Sequence, residues 1–184
     1  MVTPMIPAAM PAAAPPFAPA TLEEFEAVLR RHDSATLALE EWCARRGLGH
    51  PPRITAETLS QQEGEVDPEL RARLALNEGE GVTQRNVHLR CGPLVLSVAW
   101  NWYVSERLTA PMNEALRSSD VPFGKVVAAL DFRRRPLSVT AGPARGCPAG
   151  TISTHQAILV LPDGRPLAYL VECYTATNLR PPPR

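Results

Sequence analysis

Two ionisable side chains stand where the surrounding pattern asks for apolar ones, and any chemistry this chain performs would start from them. Residues 167 to 179, LAYLVECYTATNL, alternate as a strand, with Leu167, Tyr169, Val171 and Cys173 on one face and Ala168, Leu170, Glu172 and Tyr174 on the other. Neither face is polar, so the Glu172 carboxylate must find a cation or a hydrogen-bond donor, or take up a proton. Upstream, GVTQRNVHLRC sets Gln84, Asn86, His88 and Arg90 against Thr83, Arg85, Val87, Leu89 and Cys91, which puts Arg85 on the apolar face. A cation and an acid so placed allow two readings. They form a buried ion pair, or one of them lies on an exposed sheet edge; alternatively they stand at the two ends of a small polar cavity against the sheet. Such a cavity suits a small molecule with a carboxylate at one end and a hydroxyl at the other.

Two helix starts could serve the same cavity, because the first turn of a helix leaves backbone N–H groups free to bind an anion. One is at Ser34–Ala35, where Asp33 or Ser34 caps HDSATLALEEW, a helix that stops at the glycine of ARRGLG; the other is at Pro122–Phe123, opening VPFGKVVAAL. Around these, LEEFEAVLRR has amphipathic helical spacing, and SERLTAPMNEALRSSD is a helix starting near Thr109. Residues 49 to 81 yield only a strand near 53 to 58. A turn at CGP joins the Arg85 strand to LVLSVAWNWYV, whose Leu94, Leu96, Val98, Trp100, Trp102 and Val104 fall together, and PDG joins the last two strands. SVTAGPARGCPAG is a flexible loop. Helices first, then hairpins separated by helices, predict an α+β fold with a single antiparallel β-sheet and helices packed over it.

The 184 residues fit one domain, expected over 21–184 behind a disordered Pro/Ala-rich tail at 1–20 that lacks the basic start of a signal peptide. Lys+Arg and Asp+Glu balance at 19 each, so no overall field draws the chain to nucleic acid or a membrane surface. No run is long enough to span a bilayer. Cys43, Cys91, Cys147 and Cys173 make no CxxC, which predicts free thiols in a cytoplasmic protein. Of the remaining features, His88 reads as solvated, the arginines at 133 to 135 as a solvated turn, Trp100 and Trp102 as core, and Cys173 as core rather than nucleophile.

With these residues in place, the sequence resembles the chorismate pyruvate-lyase family, over roughly Leu22 to Leu179. HDSATLALEEW is similar to that family's Asp-Ser-x-Thr helix start, RNVHLRCG to its strand with a leading Arg, VPFGKVV to its Pro-x-Gly-basic helix start, and LPDGRPLAYLVECY to its closing hairpin with a Glu. The resemblance implies a carbon–oxygen lyase that converts chorismate to 4-hydroxybenzoate and pyruvate for ubiquinone biosynthesis, acting as a monomer without metal or organic cofactor, nucleic acid or membrane span. It implies catalysis by Glu172 and Arg85, with Arg85 on the ligand carboxylate, Glu172 on its hydroxyl, and backbone groups at Ala35 and Phe123 assisting. The sequence departs from the family where TISTHQAIL replaces a run of arginines, with His155 the candidate substitute. The alternative reading is a non-catalytic module of the same fold that binds an aromatic or cyclic carboxylate, as in effector-sensing domains of bacterial regulators, or a divergent lyase acting on another cyclic acid.

Overall fold

Thr21 opens the first helix with a capping box: its hydroxyl accepts from the Glu24 N–H while the Glu24 carboxylate accepts from the Thr21 N–H. The structure, a computed structural model, describes residues 19–181, so most of the expected tail lies outside the described residues. Ala20, at its end, is already buried, and its N–H donates to the Leu179 carbonyl at 3.1 Å. Helix α1 (Leu22–Leu29) buries Phe25, Val28 and Leu29, and α2 (Ala35–Arg46) ends at Gly47 in the left-handed region, φ 62°. Phe25 meets both Trp42 and Tyr174 edge-on with ring centroids 5.2 Å apart, which packs the two helices onto the sheet.

The sheet has six strands in the order β1-β2-β3-β6-β5-β4, every neighbouring pair antiparallel. The strands are β1 (Ile54–Glu63), β2 (Thr83–Cys91), β3 (Leu94–Tyr103), β4 (Arg133–Ala141), β5 (Thr151–Val160) and β6 (Pro166–Thr175). Between them lie α3 (Pro68–Leu74), α4 (Ala110–Ser118) and the single turn α5 (Phe123–Val126). The α+β expectation therefore holds. Lys125 of α5 reaches Glu40 of α2 at 2.6 Å, and the same carboxylate oxygen accepts from the Ile54 N–H at 2.9 Å, so one acid ties both helices to the edge strand. Arg107, its side chain 2% exposed, bonds the Glu80 carboxylate and the carbonyls of Leu74, Ala75 and Pro166. That contact holds the Glu80 carboxyl down at about 2.

Four local expectations are corrected. Leu96 is an extra residue in β3: Leu89 pairs with Ser97 and Arg90 with Val95, so the side-chain phase inverts there. The face of β3 under α1, α2 and α5 is thus Ala99, Asn101 and Tyr103, and Trp100 and Trp102 face the opposite side, where Trp102 still packs against a smaller core of Leu70, Leu74, Val82 and Val104. The arginines at 133 to 135 open strand β4 rather than forming a turn. Strand β1 runs to Glu63, beyond the strand expected near 53 to 58, and α3 forms where residues 49 to 81 yielded no other element. The four cysteines are not thiols but two disulfides, Cys43–Cys91 and Cys147–Cys173, with Cα atoms 6.3 and 5.6 Å apart, inside the range a disulfide spans. The second fastens the loop at 142–150 to β6. No described helix is long and apolar enough to cross a membrane.

Candidate functional site

Register places the two conspicuous charges on one face of the sheet. Ala99 pairs with Val87 on one side and Glu172 on the other, and Asn101 pairs with Arg85 and Leu170. Arg85 and Glu172 therefore share the helix-covered face, two strands and one same-face step apart, about 12 Å between Cα atoms by strand geometry. They do not pair with each other. Between them lies a cavity of about 30 Å³, floored by Val87, Ala99, Asn101 and Leu170, with Glu172 and Arg134 at one end. The starts of α2 (Asp33 to Thr36) and α5 (Phe123 and Gly124) close it from above, with Phe132 beside them.

Glu172 is 3% exposed and fully partnered. Arg134 grips it with two bonds, Nη1 to Oε1 at 3.2 Å and Nη2 to Oε2 at 2.5 Å, and the Tyr174 hydroxyl donates to Oε2 at 3.1 Å. Burial works against the Arg134 charge, but the Glu172 carboxylate, with help from Asp33, outweighs it and holds the guanidinium pKa above its usual value. Burial, reinforced by the same carboxylate, pushes the Tyr174 phenol well up, so that it stays a donor. Glu172 was expected to face a ligand hydroxyl rather than a protein cation; it pairs with Arg134 and also lines the cavity. Once 133 to 135 are known to open β4, alternation turns Arg134 to the face opposite Arg133 and Arg135.

Arg85 is the reverse case. Its side chain is fully buried, at 0% exposure, yet among the described residues it has no carboxylate partner. Nη2 donates to the Thr58 hydroxyl at 3.0 Å, while Nε and Nη1 have no hydrogen-bond partner. Burial pulls its pKa down, partly offset by Tyr103, but a guanidinium starts so high that it stays charged. It does not line the cavity itself; it lies one step beyond Val87, next to Asn101, which does.

Of the other predicted site residues, Ala35 and Phe123, the first residues of α2 and α5, both line the cavity. Ser34 caps α2 without a side-chain hydrogen bond, and its buried hydroxyl has no partner. The close approach of the two helix starts requires Gly124, where an added Cβ would lie 2.6 Å from the Ser34 hydroxyl oxygen. His155 lies apart from the cavity. It meets Glu26 of α1 at 3.0 Å, and Ser153 donates to the same carboxylate oxygen at 2.5 Å. Among the described residues, no group of three or more His, Cys, Asp or Glu is placed to hold a metal ion.

Burial opposes ionisation of Glu26, but the His155 and Ser153 bonds prevail and lower its pKa from 4.5. A carboxyl depressed in the folded state stabilises at pH above its unfolded value, and that contribution is lost as pH falls through the folded value. Melting curves between pH 3 and 7 should show Glu26→Gln less stable than the native protein at neutral pH. The gap should close below pH 4.5; parallel curves would contradict the assignment.

The chain is 34% identical over 177 residues to the uncharacterized protein y4mC of Sinorhizobium fredii (strain NBRC 101917 / NGR234), covering 85% of this chain and 74% of that one. The chain belongs to the y4mC family. No protein-family model matches it. In fold, this y4mC family member is similar to the effector domain of PhnF from Mycobacterium smegmatis, with a TM-score of 0.57 at 15% identity over 78% of this chain and 88% of that domain. Against the whole of PhnF the TM-score is 0.59 at 14% identity, and the match spans 80% of this chain but 66% of that one. A third neighbour is the ligand-binding domain of a Bordetella bronchiseptica protein assigned to the GntR family of transcriptional regulators, with a TM-score of 0.51, 18% identity, and coverage of 66% and 82%.

These neighbours correct the functional expectation. The shared fold is that of regulator ligand-binding domains, which overturns the chorismate lyase reading and with it lyase activity, chorismate, 4-hydroxybenzoate, pyruvate and ubiquinone biosynthesis. The expected absence of a nucleic-acid connection falls on the same finding.

Proposed function

We propose that this chain is a non-catalytic binding module whose cavity takes a small cyclic carboxylate, held at its acid end by Arg85. The observation that carries the reading is a guanidinium at 0% exposure with two nitrogens lacking any partner. Desolvating a cation without a counter-charge is expensive, and an anionic ligand supplies the missing partner. The free N–H groups at the start of α2, beginning with Ala35, and the unpartnered Ser34 hydroxyl add donors on the opposite wall. Phe123 and Phe132 supply an apolar surface for a ring. Glu172, neutralised by Arg134, shapes the far end and positions Tyr174 rather than moving a proton.

A cavity of 30 Å³ holds a water or two, not a ring, so the bound form is an opened version of this one. By analogy with the regulators that share the fold, the ligand state would be read out through a DNA-binding unit.

Calorimetry with benzoate and cyclohexanecarboxylate, and with neutral benzamide as control, tests the reading. The acids should bind and benzamide should not, and Arg85→Gln should weaken the acids by roughly ten- to hundredfold, the worth of a charge-assisted hydrogen bond. Equal binding by wild type and variant, or by acid and amide, would contradict it.

A further inference from the structure

The other face of the sheet carries a larger opening, of about 640 Å³, within the size range of small-molecule sites. Its floor is aromatic. Trp100 and Trp102 of β3 are near-parallel at 19°, ring centroids 6.0 Å apart, and Tyr169 of β6 continues the row at 5.3 Å and 26° from Trp102. One wall is α3 with the segment before it; the other is the loop at 142–150, pinned to β6 by Cys147–Cys173. This is a walled cleft on the opposite side of the sheet from the Arg85 cavity.

The polar groups of the cleft are set to donate and accept around that floor. Gln84 accepts from the Trp102 indole N–H at 3.3 Å and Gln156 accepts from the Tyr169 hydroxyl at 2.7 Å, and each bond orients an amide while leaving its NH₂ to donate elsewhere. Arg145 on the loop and Glu65 before α3 line the cleft as a further donor and acceptor at its rim. The charges do not favour an anion. Glu65, Asp67 and Glu69 face Arg73 and Arg145, so no positive excess selects phosphate or carboxylate. The cation position over Tyr169 is already filled by Arg73, 5.1 Å from the ring centroid and bonded to Glu69 at 2.6 Å.

A ligand matched to flat aromatic rings, amide donors at their edges and no net charge has apolar C–H faces and a rim of hydroxyls. We propose that this cleft is a second binding site and that its ligand is a neutral saccharide, with a pyranose ring lying on Trp100, the open end of the stacked Trp100, Trp102 and Tyr169 row, and its hydroxyls bonded to Gln84, Gln156 and the rim. The site does not depend on the Arg85 cavity.

The test is titration of the full chain with cellobiose, maltose and N,N′-diacetylchitobiose, with glucuronate as the anionic comparator, read by calorimetry and tryptophan emission. Trp42 is 1% exposed in the core, so a ligand-dependent change in emission reports Trp100 and Trp102. At least one neutral disaccharide should bind saturably and alter the emission. Trp100→Ala should weaken it about tenfold or more, the scale of one lost stacking contact. Gln84→Ala, which leaves the aromatic row in place, should weaken it as well. The proposal is overturned if none of the three disaccharides binds, if glucuronate alone binds, or if binding persists in both cleft variants.

Discussion

Glu172→Gln should lower the stability of the ligand-free protein by about 3 to 5 kcal/mol, because it leaves the Arg134 guanidinium buried without its counter-charge. Arg134 cannot relieve the cost by giving up its proton, and its side chain is only 10% exposed, so water does not replace the lost carboxylate. For a chain of this length the loss corresponds to a fall of roughly 10 °C in Tm. The double variant Glu172→Gln with Arg134→Met should recover most of it, since exchanging a buried pair for apolar contacts is often close to neutral. A double-mutant cycle then reports the coupling of the pair directly. Unchanged stability in Glu172→Gln would mean that the carboxylate is not committed to Arg134 and would return it to the pool of ligand-facing groups.

Reduction should have a comparable effect. The bonds Cys147–Cys173 and Cys43–Cys91 close loops of 26 and 48 residues. On loop-closure entropy these are worth about 3.5 and about 4 kcal/mol. Melting with and without reductant should show a large fall in Tm, and thiol titration of the unfolded, unreduced protein should find no free cysteine among the four. Four titratable thiols, or a Tm indifferent to reductant, would contradict both bridges.

What could be read in the sequence, and what could not, follows from the range of each interaction. Strand alternation is local, so it exposed Arg85 and Glu172 as charges on a core face without any knowledge of their neighbours. Helix caps are local too, and the starts at Ser34 and Pro122 emerged for that reason. The partner of Glu172 is 38 residues away in sequence, and the arginine run that contains it resembles a solvated turn until its strand is known. The two tryptophans were misplaced by one residue: Leu96 bulges from β3 and inverts the phase, which no count along the strand can show without the pairing strand. The cysteine pairs join segments whose proximity exists only in the folded sheet. Motif order carried the fold correctly and the activity wrongly, because a shared fold hosts different functions and the chemistry resides in which side chains meet.

The central claim is that Arg85 is a cation held ready for a ligand rather than for the fold. Thermal melting of wild type and Arg85→Met, each with and without benzoate, tests it most directly. A buried charge that lacks a protein partner is a liability in the empty protein, so the methionine variant should melt at or above wild type without ligand. Benzoate should raise the Tm of wild type and leave the variant unmoved. An Arg85→Met protein that melts well below wild type in the absence of ligand would show that Arg85 serves the fold, and the account of the cavity as an anion site would fail.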